Sequence, residues 1–371
     1  MRIAIIGAGI GGLTAGIALR KKGFNVTIFE QAPIFKSVGA GIILANNAMQ
    51  VYQKLGLLET LYSKGQQISE MKITDHHFKH LSSVKLSSFE KRYGVYNIAI
   101  HRADLHEILV NELGSESIRL NHRLTDIMED SSQVSLVFNH HTTEHFDLVI
   151  GADGLHSVTR KYVHPTAKIR TANQICWRGV VSHKLEGRLQ HQLNESWGKG
   201  KRFGIVPLTN DRVYWYALLN KADEKVNLSS SFNAFPKIVS ELIEKTPSNQ
   251  QHFAEIEDLE PNSMWYKKRI VLIGDAAHAT TPNLGQGACQ AIEDAYCLGE
   301  ALEKEINSGF KTFLNARVKK ANNIVKTSWT LGKVAHWENS FSVGIRNFLL
   351  KSTPDSIATK RSSKIFKLCQ L

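Results

Sequence analysis

The stretch GDAAHATTPNLGQGACQAIEDA, Gly274 to Ala295, decides the fold. An apolar run, Arg269-Ile-Val-Leu-Ile273, leads into it and reads as a buried strand. Beyond it Ala291, Ile292, Ala295, Leu298 and Leu302 recur at helical spacing. Between strand and helix lie Asp275, His278, Pro282 and two glycines, Gly285 and Gly287. Such a composition asks what a strand-to-helix turn needs with an acid and bare backbone.

The amino terminus repeats the arrangement. Ile3 to Ile6 is followed by Gly7-Ala-Gly9-Ile-Gly-Gly12, then by Leu13, Ala15, Ala18 and Leu19 in a helical pattern. In a strand, G-x-G-x-x-G, helix unit, Gly7 permits the tight turn and Gly9 lets a pyrophosphate approach the backbone. Gly12 lets helix and strand touch, and the helix head supplies amide donors. A second strand, Asn25 to Phe29, ends in Glu30, placed to accept both hydroxyls of an adenosine ribose, with Gln31 beside it. Glu30 would repel a 2′-phosphate, so NADP is not expected here. FAD and NAD both fit.

Asp147-Leu-Val-Ile150 reads as another buried strand and ends in Gly151-Ala-Asp153-Gly154, with Ser157 and Arg160 following. The ordered set of G-x-G-x-x-G, GADG-x-x-S-x-x-R and GDAAH-x-x-x-P-x-x-GQG resembles the FAD-dependent aromatic hydroxylases, the group A flavoprotein monooxygenases. The likeness runs from residue 1 to about residue 330. Within the family it looks most like the urate hydroxylase and salicylate hydroxylase-like members. Gly39-Ala-Gly41-Ile42 resembles the family's flavin-approach loop, and His101-Arg102-Ala-Asp104 the segment whose arginine reaches the cofactor.

The resemblance implies an α/β fold: a Rossmann-like (GR2-type) FAD-binding domain with an inserted antiparallel-sheet substrate domain and C-terminal helices. It implies Asp275 on a ribityl hydroxyl, with Gly285 and Gly287 leaving room for the isoalloxazine ring. The helix head near Gly287 then faces the ring edge that gains negative charge on reduction. Gly41, Ile42, Arg102, Leu124, Asp153, Leu284, Gln286 and Ala288 complete the expected cofactor set. His278 and Arg160 are expected to be structural, and Asp153 also reads as a turn residue.

Residues 171 to 264 change character, with aromatic-rich runs at Ile175–Val181, Arg202–Val206 and Arg212–Ala217 that read as antiparallel strands. The expected FAD domain is therefore discontinuous (1–65, 95–170 and 265–330). The substrate sheet takes 66–94 and 171–264, and C-terminal helices take 331–371. Arg202 and Tyr214 match the family positions that act on a planar, anionic substrate, and are the expected catalytic residues. Where the urate hydroxylases carry an acid after the motif proline, this chain has Asn283, which casts that substrate into question. The segment Trp177-Arg178-Gly179 also departs from them.

The expected activity is an FAD monooxygenase. The resemblance implies that NADH or NADPH acts as transient reductant and that O2 adds through a flavin C4a-hydroperoxide, placing one oxygen on a small planar aromatic or heteroaromatic molecule. The alternatives are an NAD(P)H oxidase or flavin-binding redox module without oxygenase turnover, and an epoxidase of an alkene or polyene.

Bulk properties fit. The chain has 371 residues, 42% hydrophobic and 22% charged, with a formal charge of +12. No apolar run approaches the roughly 20 residues of a membrane span. The positive charge suits anionic substrates and cofactor phosphates, and no nucleic-acid motif accompanies it. His76-His77 and His140-His141 read as surface turns, and no metal site is expected. Cys176, Cys289, Cys297 and Cys369 lack ligand or redox spacing, so unpaired thiols in a cytoplasmic, reducing setting are expected. Past residue 307 the pattern predicts helices with basic faces. An apolar stripe there, Phe341, Ile345, Phe348 and Leu349, is expected to pack across the domain junction, with docking on a membrane surface as the alternative. A monomer or homodimer would satisfy the pattern.

Overall fold

The computed structural model describes residues 1–35, 40–130, 132–224, 226–304 and 306–369. Gly39, expected in the flavin-approach loop, lies outside them. The strand Arg2–Ile6 occupies the middle of a six-stranded sheet in the order Tyr266–Lys267, Ile270–Leu272, Leu148–Gly151, Arg2–Ile6, Asn25–Phe29, Ile118–Arg119. All its pairings are parallel except that of the short edge strand Tyr266–Lys267. Parallel strands are covered on both faces, which is why Ile3, Ala4, Ile5, Val149 and Ile150 read as unbroken apolar runs and are all 0% exposed. Helix Ile10–Lys21 packs on Gly287–Lys304 and on Arg102–Leu113 over this sheet. Every turn singled out in the sequence therefore leaves the carboxyl end of a parallel strand, where open α/β sheets bind ligands.

A seven-stranded sheet stands against this unit, in the order His252–Leu259, Ile169–Ser182, Arg212–Asn220, Lys201–Leu208, Gln192–Trp197, Glu70–Asp75, His80–Lys85. It is antiparallel apart from one parallel pairing, Gln192–Trp197 with Glu70–Asp75. Alternation divides its faces. Ile175, Phe203, Ile205, Val213, Trp215 and Ala217 form a core with the helix Lys237–Lys245. Val180, Val206, Tyr214 and Tyr216 face the other way, onto the main core. A three-stranded sheet of Gly41–Leu44, Asn97–His101 and Gln66–Ile68 lies alongside.

Three helices end the chain: Ile306–Ala335, Ser340–Ser352 and Asp355–Phe366. Two expectations are corrected here. The stripe Phe341, Ile345, Phe348 and Leu349 does not pack but is 41–77% exposed. The helix docks instead through Arg346, which is buried and donates to Ala335 O at 2.8 Å and Gly198 O at 3.3 Å, over the Trp197 ring. A guanidinium that satisfies main-chain carbonyls fixes the rotation and turns the apolar side outward. The cysteines are not all free: Cys297 pairs with Cys369, 72 residues away. The tail returns along the long helix because Lys320 Nζ donates to Lys367 O and Cys369 N to Glu293 Oε1. Cysteine usage thus gives no argument for a reducing compartment. Among the described residues no helix is long and apolar enough to cross a membrane.

Candidate active site

Gly7 adopts φ 104° and its amide donates to Phe29 O at 2.7 Å, which bends the chain toward the second strand. A Cβ on Gly12 would lie 2.0 Å from Gly7 O, so turn and helix meet at a distance only glycine permits. A Cβ on Gly9 would meet nothing within 4 Å, leaving open space over the helix head. Glu30 accepts from Ala8 N and from Ala32 N, both at 2.9 Å. Two amides thereby hold its carboxylate beside the open space. Gln31 next to it is exposed. Leu124 is a buried core residue at the start of the strand Leu124–Glu129.

Asp153 accepts from the Ser157 hydroxyl at 2.5 Å, Thr159 N at 3.0 Å and Thr159 Oγ1 at 3.1 Å, anchoring the helix Val158–Val163. Arg160 donates to Ala276 O at 3.2 Å and to Leu155 O, tying this turn to the Gly274 turn.

In the opening stretch, Gly274 leads into Asp275 at the head of a short helix, and Pro282–Leu284 forms a single 3-10 turn. Gly285 follows in the left-handed region, φ 60°, where a Cβ would meet nothing within 4 Å, and Gly287 opens an 18-residue helix. A Cβ on Gly287 would lie 4.0 Å from Asp275 Oδ1, so the acid stands at the helix head. Asp275 is reached by solvent although protein surrounds it, and among the described residues it has no hydrogen-bond partner. Burial in this groove holds its pKa above the usual carboxylate value, and His278 and Arg102 pull it only part of the way back. Leu284 and Ala288 are half-buried beside it. Gln286 points inward, accepting from Asn47 Nδ2 at 3.2 Å and Gln290 Nε2 at 2.9 Å.

His278 is turned away from the groove. Its Nε2 meets Asp294 Oδ2 at 2.5 Å in a buried set with Arg317, Glu293 and Lys320. Asp294 also accepts from Gly274 N at 2.9 Å, so this set holds the motif turn from beneath.

Gly41 pairs with His101, and Arg102 N donates to Ala40 O at 2.8 Å. A Cβ on Gly41 would collide with Tyr214 at 2.6 Å, which brings Gly41 and Ile42 onto the facing sheet. Register puts Val180 opposite Tyr214, Arg178 opposite Tyr216 on one side and His252 on the other, and Gly204 opposite Tyr216. These residues floor the space between the sheet and the groove. Arg102 is within electrostatic reach of Arg178, Asp275 and Tyr214, so the polar groups of both halves converge. Burial pushes the Tyr214 and Tyr216 phenols up, so both remain protonated donors at neutral pH.

Arg202 lies at the rear of this floor, 1% exposed. It donates to Glu195 Oε1 at 3.1 Å and to Asn283 Oδ1 at 2.5 Å. Glu195 also accepts from Tyr216 OH at 2.5 Å and Trp197 Nε1 at 2.6 Å. Sequence reasoning passed over Arg178. Among the described residues its side chain makes no hydrogen bond or ion pair, and its Nε is buried without an acceptor. The signal was available in the alternation of Cys176, Arg178 and Val180 against Trp177, Gly179 and Val181, which puts Arg178 on the face toward the groove.

The groove fits FAD on these observations: open space over Gly9 and Gly285, and an unpartnered carboxylate, Asp275, at a helix head. Comparison with known proteins agrees. The family model described as FAD binding domain matches residues 1–328. The chain is 34% identical to the aurachin C monooxygenase/isomerase of Stigmatella aurantiaca, covering 95% of this chain and 94% of that one. It is 32% identical to the 2-heptyl-3-hydroxy-4(1H)-quinolone synthase of Pseudomonas aeruginosa, covering 99% and 98%. The solved structure of Klebsiella pneumoniae HpxO with FAD and uric acid superposes with a TM-score of 0.90 at 26% identity, covering 99% of this chain and 97% of that one.

Proposed function

We propose, from the premise that this chain belongs to the FAD-binding domain family of FAD-dependent monooxygenases, that it consumes NAD(P)H and O2 to hydroxylate a planar heteroaromatic ring of the 4-quinolone type. The substrate class is supported by the quinolone named for one of the relatives that match over nearly the whole chain. Asn283, where a urate hydroxylase-like acid would stand, fits a substrate other than urate.

Bound FAD would supply the acceptance of electrons from the nicotinamide and the activation of O2. The chain's own residues do the rest. Backbone at Gly7, Gly9 and Gly12 and the carboxylate of Glu30 would hold the adenosine diphosphate end. Asp275, Arg102, the Gly41–Ile42 strand and the backbone from Leu284 to Ala288 would hold the flavin end. The helix opened by Gly287 points its positive end there and favours negative charge by roughly 0.3–1 kcal/mol. Gln31, Leu124 and Asp153 belong to the same proposal, Asp153 through the turn it anchors. The cofactor domain is proposed as discontinuous, with the substrate sheet as its lid.

Arg178 is the proposed substrate anchor. A guanidinium without a partner among the described residues, facing the cavity beside Tyr214, would lower the pKa of a ring hydroxyl or enol and hold the resulting oxyanion. Charge pushed into the ring makes its carbon more nucleophilic, which is what an electrophilic oxygen donor requires. Tyr214 would donate a hydrogen bond to the same oxygen. Arg202 is proposed as a positioning residue, acting on Tyr216 through Glu195.

The observation that carries the reading is the convergence of Asp275, Arg102, Arg178 and Tyr214 between groove and sheet. The test is purification with bound flavin, then NAD(P)H oxidation in air with and without 2-heptyl-4(1H)-quinolone under isotopically labelled O2. Ligand-stimulated oxidation with one labelled oxygen in the product is expected. Protein that takes up no FAD sinks the reading.

A further inference from the structure

A cleft of about 760 Å³ opens beside the flavin-facing sheet, at the junction of Ser182, Arg212, the turn before His252, and His101. Its volume falls in the range of ligand sites, roughly 300–1,000 Å³. His101, Arg212, Lys245 and His252 line it together with the amides of Asn249 and Gln250, and among the described residues no Asp or Glu does. Arg212 shares its charge with Asp104 at 3.0 Å. Lys245 has no carboxylate partner among the described residues: its Nζ meets only His183 Nδ1, at 3.2 Å. His101 Nδ1 accepts from Ala103 N at 3.3 Å, which leaves Nε2–H as a free donor.

The cleft is thus a concave set of cations and neutral polar groups with no carboxylate among its described lining residues, a complement for a polyanion. It is also close to the groove from two sides. His101 precedes Arg102 in the chain, and His252 is the cross-strand partner of Arg178. A ligand anchored here and extended inward arrives where Arg102 and Asp275 converge. The chain has one G-x-G-x-x-G, which serves the FAD groove, so a second dinucleotide must dock on something other than a second Rossmann turn.

We propose that this cleft docks the diphosphate of the nicotinamide dinucleotide, an inference that rests on the NAD(P)H-consuming reading above. Lys245 and Arg212 are the phosphate cations, His101 and His252 flanking donors. The ring end extends past Arg102 toward the flavin.

The test uses the FAD-loaded enzyme and its Lys245→Glu and Lys245→Glu/His252→Ala variants. The dissociation constant for NADH or NADPH is taken from the concentration dependence of anaerobic flavin reduction. Loss of a charged phosphate contact should raise it about tenfold or more, with the limiting reduction rate, bound FAD and melting temperature unchanged. ADP-ribose, which lacks the nicotinamide, should bind the parent by calorimetry and bind the variants more weakly. That arm reads the cleft even for a protein that oxidises neither nucleotide, where the activity reading would fail by itself. Constants within twofold of the parent overturn the proposal. So does a change confined to 2-heptyl-4(1H)-quinolone binding, which would assign the cleft to the aromatic substrate.

Discussion

Arg202 and Asn283 join the two halves of the molecule: the guanidinium of a sheet residue donates to the side-chain oxygen of a motif-turn residue at 2.5 Å. Asn283 is oriented for this because its amide donates to Thr281 Oγ1 and Ser328 O, both at 2.8 Å. Among the described residues the charge is met by the carboxylate of Glu195, which in turn positions Tyr216. Arg202→Met would leave Glu195 facing a buried pocket without its cation. Losing one partner of such a pair costs about 3–5 kcal/mol. A loss of unfolding free energy of that size, read from urea titration, is expected, and an unchanged value would show that the contact does not join the halves.

Arg178 should behave oppositely. Its side chain has no partner to lose among the described residues, and Arg102 lies within repulsive reach. Arg178→Ala is therefore expected to leave the melting temperature unchanged or slightly raised and FAD content intact. The KM for the aromatic substrate should rise about tenfold or more, the worth of one charge-assisted contact. A variant with a lowered melting temperature and an unaltered KM would return Arg178 to a structural part.

Asp275 carries a cost in the FAD-free fold. An acid held above its ordinary pKa destabilises the native state once ionised, so its penalty grows as pH rises through that value. Asp275→Asn removes the penalty and keeps the shape. At neutral pH the FAD-free variant should melt at a higher temperature than the FAD-free parent, while retaining FAD less well on dialysis. The two effects have opposite sign only if the carboxylate is there for the ligand. Equal retention would count against it.

The parallel-sheet unit was legible in the sequence because its signals are local. Strand, glycine turn and helix head occupy a dozen consecutive residues, and sterics at Gly7 and Gly12 leave one solution. The alternation put Arg178 with Cys176 and Val180 on one face, but which face meets the groove was readable only after pairing, since it depends on what covers each. The outward stripe on Ser340–Ser352 was misread because Arg346, a charged residue, proved to be the docking side. The Cys297–Cys369 pair depends on a tail return steered by Lys320 and Glu293, contacts that no spacing in the chain announces.

The buried set beneath the motif turn fixes an acid limit for the site. Burial alone would raise the Asp294 pKa, but His278 and Arg317 outweigh it and bring it to about 2, below the ordinary 3.8. A depressed acid contributes stability above its unfolded pKa and loses it as pH falls toward the folded one. A shift of this size is worth of order 2 kcal/mol, and it should vanish between about pH 4 and pH 2. Because Asp294 accepts from Gly274 N, the turn bearing Asp275 loosens in the same window, and FAD should be released with it. Asp294→Asn should start less stable and show a flatter slope there, since it has no proton to gain. If stability followed by urea titration falls in parallel for variant and parent from pH 4 to pH 2, this network does not set the limit.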